Sequence, residues 1–287
     1  MSNAQPQPLA TPRQRRNSSA RFLTLAIAVA LAWPAAAVAE APAAVTAPAA
    51  TSQAAAIDAA LAAEFKSGEP GAAVIVMKDG KPLLRKAYGM ANLEKGVALE
   101  PQMVFRIGSL TKQFTAVAIL MLAEQGKLSV SDDISKTLPD FPTQGKKITI
   151  EHLLTHTSGI PNYTDPPEYM GNMHKDRTVS EMIDTFRNAP LQFEPGERFA
   201  YSNSGYFLLG AIIEKVSGMS YADFVARNIF EPLGMKDSAY EGYERSAARR
   251  VEGYGRAPTG GYVVARPVSM TQPFAAGSLQ STVDDLA

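Results

Sequence analysis

Two apolar helical runs, each entered through a short polar motif, constrain this chain more than any other feature. The first follows FRIGSLTKQFTA, where Phe114, Val117, Ile119, Leu120, Met121 and Leu122 leave little polar surface before Glu124. That pattern predicts a helix buried on most sides. At its mouth Ser109 and Lys112 stand at i and i+3, so a helix beginning at or just before Ser109 puts the amine within reach of the hydroxyl. Such a pair performs nucleophilic chemistry without a histidine. A chain of this length holds roughly one Ser-x-x-Lys by chance, so position must carry the weight. Here the match falls where unpaired backbone N–H groups and the positive end of the helix dipole favour a developing oxyanion. Desolvation at the rim of the apolar run pushes Lys112 toward the neutral amine that a general base requires. Gly108, just before the serine, reads as a site of close backbone or ligand approach. The plain alternative is a surface serine beside a snorkelling lysine.

The second run follows Tyr201, Ser202 and Asn203, the chain's one Tyr-x-Asn. Asn203 or Ser204 reads as the N-cap, and Gly210, Ile212, Ile213 and Val216 continue a core-facing pattern until Gly218. A phenol beside a lysine can shuttle a proton, and an amide can hold a substrate carbonyl. An N-capping Asn with a packing Tyr is the competing reading.

With both motifs in this order, the chain resembles the serine β-lactamase and penicillin-binding protein superfamily, and within it the class C β-lactamase, DD-peptidase and carboxylesterase branch. FRIGSLTKQFTA is similar to the nucleophile motif of that branch, and YSNSGYFLLGAIIEKVSGMSYADFVARNIFEPLGM to its tyrosine motif and the two helices after it. LLTHTSGIPNY and AAGSLQSTVDDLA are further recurrent stretches. The resemblance implies an α+β or α/β protein, β-lactamase/transpeptidase-like. Such a protein has an antiparallel sheet with flanking helices, an all-helical part, and a cleft between the two. It also implies an acyl-enzyme mechanism. Ser109 attacks a carbonyl, Lys112 and Tyr201 move the proton with the order between them open, and Asn203 positions substrate. The substrate would be a β-lactam, a D-Ala peptide or a small ester, with no cofactor and no metal.

The family's third motif, His or Lys, any residue, then Gly, has no convincing counterpart here. Ser281 or Thr282 followed by Val283, Asp284 and Asp285 reads as a capped helix start, and the sequence stops at Ala287. The expectation is therefore a family member lacking its C-terminal strands. By resemblance those strands would supply the second oxyanion donor, and losing one donor lowers turnover about a hundred- to a thousandfold. Weak activity, or a catalytically degenerate member that binds cell-wall peptide or a protein partner, is the corresponding alternative. Only Ala72 to Lys78 and Pro82 to Ala91 read as strands, joined by an Asp79-Gly80 turn. A lone hairpin has an open edge and marginal stability, so poor solubility is also expected.

Arg13, Arg15, Arg16 and Arg21 precede an apolar run from Phe22 to Trp33, and Ala37, Val38 and Ala39 precede Glu40. This reads as a secretory signal peptide over residues 1–39, with an apolar run too short to span a bilayer. The chain has no cysteine, which excludes a lipoprotein anchor and disulfides. Processing after Ala39 leaves 24 basic against 28 acidic residues and removes Trp33, the chain's one tryptophan. Neither nucleic acid nor a membrane surface fits that balance. Residues 40–55, rich in Ala and Pro, read as a linker, and residues 56–287 as one hydrolase domain. The expectation is a periplasmic or secreted monomer with a small-molecule or peptide substrate and no stable membrane anchor.

Other chemistries find less support. His152 and His156 have metal-ligand spacing on a short helix, but no third ligand is evident, so structural roles are favoured, and His174 reads as a loop residue. There is no Gly-x-Ser-x-Gly elbow and no recognisable carboxylate pair. The run Glu244 to Arg250 reads as a solvated face.

Overall fold

The computed structural model describes residues 48–242 and 249–287. The signal-peptide segment and most of the Glu244 to Arg250 run lie outside the described residues. In chain order the helices are α1 (Pro48–Glu64), α2 (Thr111–Glu124), α3 (Ile150–Leu154), α4 (Glu168–Asn172), α5 (Val179–Asp184), α6 (Asn203–Ser217), α7 (Tyr221–Val225), α8 (Glu231–Leu233) and α9 (Val283–Leu286). The strands are β1 (Ala72–Lys78), β2 (Lys81–Tyr88), β3 (Met90–Asn92), β4 (Val97–Ala98), β5 (Phe105–Arg106), β6 (Ala239–Tyr240), β7 (Tyr254–Arg256), β8 (Tyr262–Val264) and β9 (Leu279–Ser281). The architecture is α+β, with antiparallel strand pairs beside a helical part. Helix α1 begins at Pro48, so the later part of the stretch expected to be a linker is helical.

The hairpin forms as its turn dictates. Asp79 and Gly80 sit at φ 50° and 73°, the left-handed pair that matches the twist of two antiparallel strands. Strands β1 and β2 pair from Ala72 with Tyr88 to Lys78 with Lys81, with one irregularity at Val76 and Met77. Strand β2 ends at Tyr88 rather than running on to Ala91. An added Cβ on Gly89 would lie 2.6 Å from the Glu69 carbonyl oxygen, and the chain restarts as β3, paired with β4. Asp58 ties α1 to this hairpin, accepting hydrogen bonds from Tyr88 Oη at 2.8 Å and Lys86 Nζ at 2.7 Å. Arg85 on β2 reaches Asp284 on α9 through two bonds of 2.5 Å.

The strand expectation was too small. Strand β9, from the stretch LQS, is buried throughout and forms the centre of a three-stranded sheet of order β5-β9-β6. Each of these strands has two or three residues, too few to show an alternating pattern, and β9 pairs with segments far away in sequence. Thr282 caps α9 by accepting from the Asp285 N–H at 3.2 Å, as the acidic first turn predicts.

The helical part is built on α2 and α6, which pack against each other and against the short 3₁₀ turn Phe274–Ala276. Ile119, Leu122, Leu153, Phe207, Leu208, Leu209, Ile212 and Tyr221 are fully buried there. Helix α2 is less enclosed than its composition implies. Phe114, Ile119 and Leu122 face the core, while Val117 and Leu120 are 45% and 53% exposed. The N-cap of α6 is Ser202, one residue earlier than expected, its hydroxyl accepting from the Gly205 N–H at 3.3 Å.

Gly210 is where α6 meets the Phe274 turn. A Cβ there would lie 2.4 Å from Phe274 Cε1 and 2.5 Å from Ala275 Cβ. Both neighbours are themselves buried, so there is no free space into which they can move. Gly210→Ala is therefore expected to lower stability by about 1–3 kcal/mol, the usual cost of overpacking, read as a lower urea midpoint at unchanged slope. An unchanged midpoint would show that the turn yields freely.

Candidate active site

Ser109 sits in a 3₁₀ turn, Gly108–Leu110, that feeds directly into α2. Gly108 has φ +51°, and a Cβ there would meet nothing within 4 Å. The glycine serves a left-handed backbone at the entrance to the turn, and no other part of the chain closes on it. The turn is fastened from behind by β9. The Ile107 N–H donates to the Leu279 carbonyl at 3.0 Å, and the Leu279 N–H donates to Thr111 Oγ1 at 3.1 Å.

Lys112 follows in the first turn of α2 and is 7% exposed, while Ser109 is exposed. Its side-chain nitrogen lies 3.2 Å from Ser109 Oγ, 2.8 Å from Asn203 Oδ1 and 2.8 Å from the Ala276 carbonyl oxygen. Tyr201 Oη stands 2.7 Å from Ser109 Oγ, and the Tyr201 ring centre is 4.7 Å from Lys112 Nζ. All four residues singled out in the sequence therefore converge. Burial pushes the Lys112 pKa below its ordinary value, and hydrogen bonding and charge from Tyr201 oppose that shift in part.

The amide of Asn203 is held by its surroundings. Its backbone N–H donates to Asn162 Oδ1 at 3.0 Å, and its side-chain N–H donates to Thr164 Oγ1 at 3.3 Å. Asn162 and Thr164 come from the stretch after LLTHTSG, so that segment braces the site. The cleft in front of Ser109 is a hollow of about 300 Å³ walled by Tyr163, Thr164, Tyr169, Val268, Met270 and Gly277. A larger hollow of about 550 Å³, near Gly71, Phe105, Arg250 and Tyr254, contains none of the four converging residues.

Sequence reasoning did not foresee the Ala276 carbonyl. A backbone atom carries no residue-type signature, and only the recurrent stretch AAGSLQS pointed to the neighbourhood. The two histidines that shared a ligand spacing are not a pair. His152 caps α3, its Nδ1 accepting from the Thr149 N–H at 3.3 Å. His156 lies beyond the end of α3 at φ +58°, and its Nδ1 accepts from the Ser202 N–H at 3.1 Å. Among the described residues no group of three or more His, Asp or Glu is arranged to hold a metal ion.

The chain as a whole has counterparts among known proteins. The family model described as Beta-lactamase matches residues 49–287. Penicillin-binding protein 4* of Bacillus subtilis (strain 168) is 41% identical over 167 residues, covering 58% of this chain and 37% of its own length. The octameric penicillin-binding protein homologue from Pyrococcus abyssi superposes with a TM-score of 0.68 at 34% identity, over 83% of this chain and 55% of that one. The D-amino acid amidase from Ochrobactrum anthropi SV3 superposes with a TM-score of 0.65 at 30% identity, over 76% of this chain and 64% of that one. The chain thus spans less than two thirds of the length of each of these relatives. The match over nearly all described residues, together with the shared architecture, establishes that this chain belongs to the beta-lactamase family, with the serine β-lactamase/transpeptidase fold.

Proposed function

We propose that the chain is a serine hydrolase that forms an acyl-enzyme on Ser109, with Lys112 as the first proton acceptor. The supporting observation is the way the lysine is bonded. A neutral amine has two N–H groups and one lone pair. Asn203 Oδ1 and the Ala276 carbonyl, each 2.8 Å away, can only accept, so they take the two N–H groups. The lone pair is left facing Ser109 Oγ at 3.2 Å.

In the proposed sequence Ser109 Oγ bonds to the substrate carbonyl carbon and the carbonyl π pair moves onto oxygen. The serine proton passes to Lys112 Nζ. As the tetrahedral intermediate collapses, the bond from carbon to the leaving nitrogen or oxygen breaks. The leaving group takes its proton through Tyr201 Oη, which Lys112 reprotonates. Water then attacks the ester by the same route in reverse. Tyr163, Tyr169, Val268 and Met270 favour an apolar or aromatic group beside the scissile carbonyl, which fits a β-lactam, a D-amino acid amide or peptide, or a small ester. We further propose export by the N-terminal segment, a hydrolase domain over residues 56–287, and action as a monomer. The arginine-rich start, the apolar run and Ala-x-Ala support the first of these.

Intact-mass measurement after exposure to a penicillin or to p-nitrophenyl acetate tests the reading. The expected result is one acyl adduct, mapped to Ser109, absent in Ser109→Ala and formed about 10²–10⁴-fold more slowly in Lys112→Met. Saturable binding without any adduct would favour a cell-wall or partner-binding protein instead.

The acylation rate should rise with pH as Lys112 loses its proton, and level off below 10.5, the ordinary lysine value. Stability follows the same ionisation. Between the lowered native pKa and 10.5 the unfolded lysine holds a proton that the native one lacks, so stability increases with pH across that window. The penalty for burying the charge is complete below the native pKa and gone above the unfolded one. Urea titrations of the native chain and Lys112→Met should differ in slope against pH within that window; parallel curves would place the lysine in water.

A further inference from the structure

Tyr201 is 44% exposed, so burial alone does not fix where its phenol points. A single residue holds the backbone on both sides of it. The His156 carbonyl accepts from the Ala200 N–H at 2.8 Å, and His156 Nδ1 accepts from the Ser202 N–H at 3.1 Å. The imidazole also lies under the phenol ring, with centres 4.6 Å apart and planes inclined by 30°. On its other flanks are Tyr206 at 5.0 Å and the edge of Phe199 at 5.6 Å. His156 does this from φ +58°, a backbone conformation that side-chain-bearing residues rarely adopt.

We propose that His156 is a positioning residue that holds the Tyr201 phenol at Ser109 only while its imidazole is neutral. The proposal rests on the acyl-transfer reading above and assigns that reaction a further residue. To accept from Ser202, Nδ1 must carry a lone pair, which places the ring proton on Nε2. Protonation at Nδ1 sets one N–H against another, and the clamp on the C-terminal side of Tyr201 opens. The titratable groups facing the ring are Lys112 from α2, Tyr201 from the segment before α6, and Tyr206 from α6 itself. Phe199 adds only apolar surface. Burial, then the Lys112 charge, hold the imidazole below its ordinary pKa, which keeps the clamp closed near neutrality. Lys112 Nζ already lies over the faces of Tyr201 and Tyr206, at 4.7 and 5.6 Å from their centres. An imidazolium would add a second cation to the same two rings.

The chain has three histidines, which makes a ring-nitrogen NMR titration of the intact protein assignable with His156→Phe, His156→Gln and His174→Gln. The expected result is a His156 Nε2–H tautomer that titrates below 6.5, with the Ser202 amide and Tyr201 ring resonances moving at the same midpoint. A midpoint at or above 6.5, or Ser202 and Tyr201 signals that ignore the histidine, would overturn the proposal. This readout needs no turnover, so it stands even if no Ser109 adduct forms and the hydrolase reading fails. Where adduct forms, His156→Phe keeps a ring under the phenol but removes the acceptor. Its acylation rate by p-nitrophenyl acetate should fall about tenfold or more, with the half-saturating concentration within about twofold and His174→Gln unaffected. The acid limb should also change: as His156 takes up its proton the native rate should fall more steeply than about tenfold per pH unit, whereas the variant should keep a limb of about tenfold per unit. An unchanged rate and limb in folded His156→Phe would assign the histidine to packing alone.

Discussion

The hydrogen bonding of one buried amine joins the parts of this structure that matter. Lys112 on α2 binds Asn203 at the start of α6 and the Ala276 carbonyl in the turn before β9, and faces Ser109 one helical turn behind it. Three segments remote in sequence therefore meet at a single nitrogen. In so dry a place N–H groups left without acceptors are costly, so the contacts that orient the lysine also make its burial tolerable. The same residues that define the site thus help define the packing of α2, α6 and the Phe274 turn.

That packing explains why the geometry is firm. Helices α2 and α6 bury one another's apolar faces, and Gly210 lets the Phe274 turn approach α6 too closely for any larger residue. Thr115 adds a polar tie in the core, donating to the Ala275 carbonyl at 2.7 Å while sharing a 2.8 Å hydrogen bond with Tyr221. Carbonyl 275 and carbonyl 276 are thereby both claimed by α2, from adjacent residues of one turn. A shift of the turn would strand two buried acceptors at once, and buried backbone groups left unpaired are rare because they are costly.

Much of the site was legible because its side chains sit at helix starts, where a polar motif stands out against the apolar run behind it. Ser109, Lys112, Tyr201 and Asn203 all have that signature, and Asp79-Gly80 gave the hairpin the same clarity. Strands β5, β6 and β9 had no such marker, since two or three residues cannot display a period and their pairing is set by tertiary contact. The exposed Val117 and Leu120 show the converse limit. An apolar side chain reads the same in sequence whether the fold covers it or leaves it open. His156 was visible only as a spacing from His152. Its link to Tyr201 depends on a loop that brings residues 156 and 200–202 together, which no local pattern encodes.

The two ends of the Ser109–Lys112 pair face opposite physical demands. A nucleophile has to meet substrate and is accordingly exposed, whereas a lysine is a useful base only where water does not stabilise its charge. Both conditions are met within one turn of chain because the 3₁₀ turn at Gly108 projects Ser109 into the cleft while α2 carries Lys112 back into the core. Ser109 stands at the open mouth of the helix and Lys112 is held inward by Asn203 and the Ala276 carbonyl, so a wet hydroxyl and a dry amine lie only 3.2 Å apart.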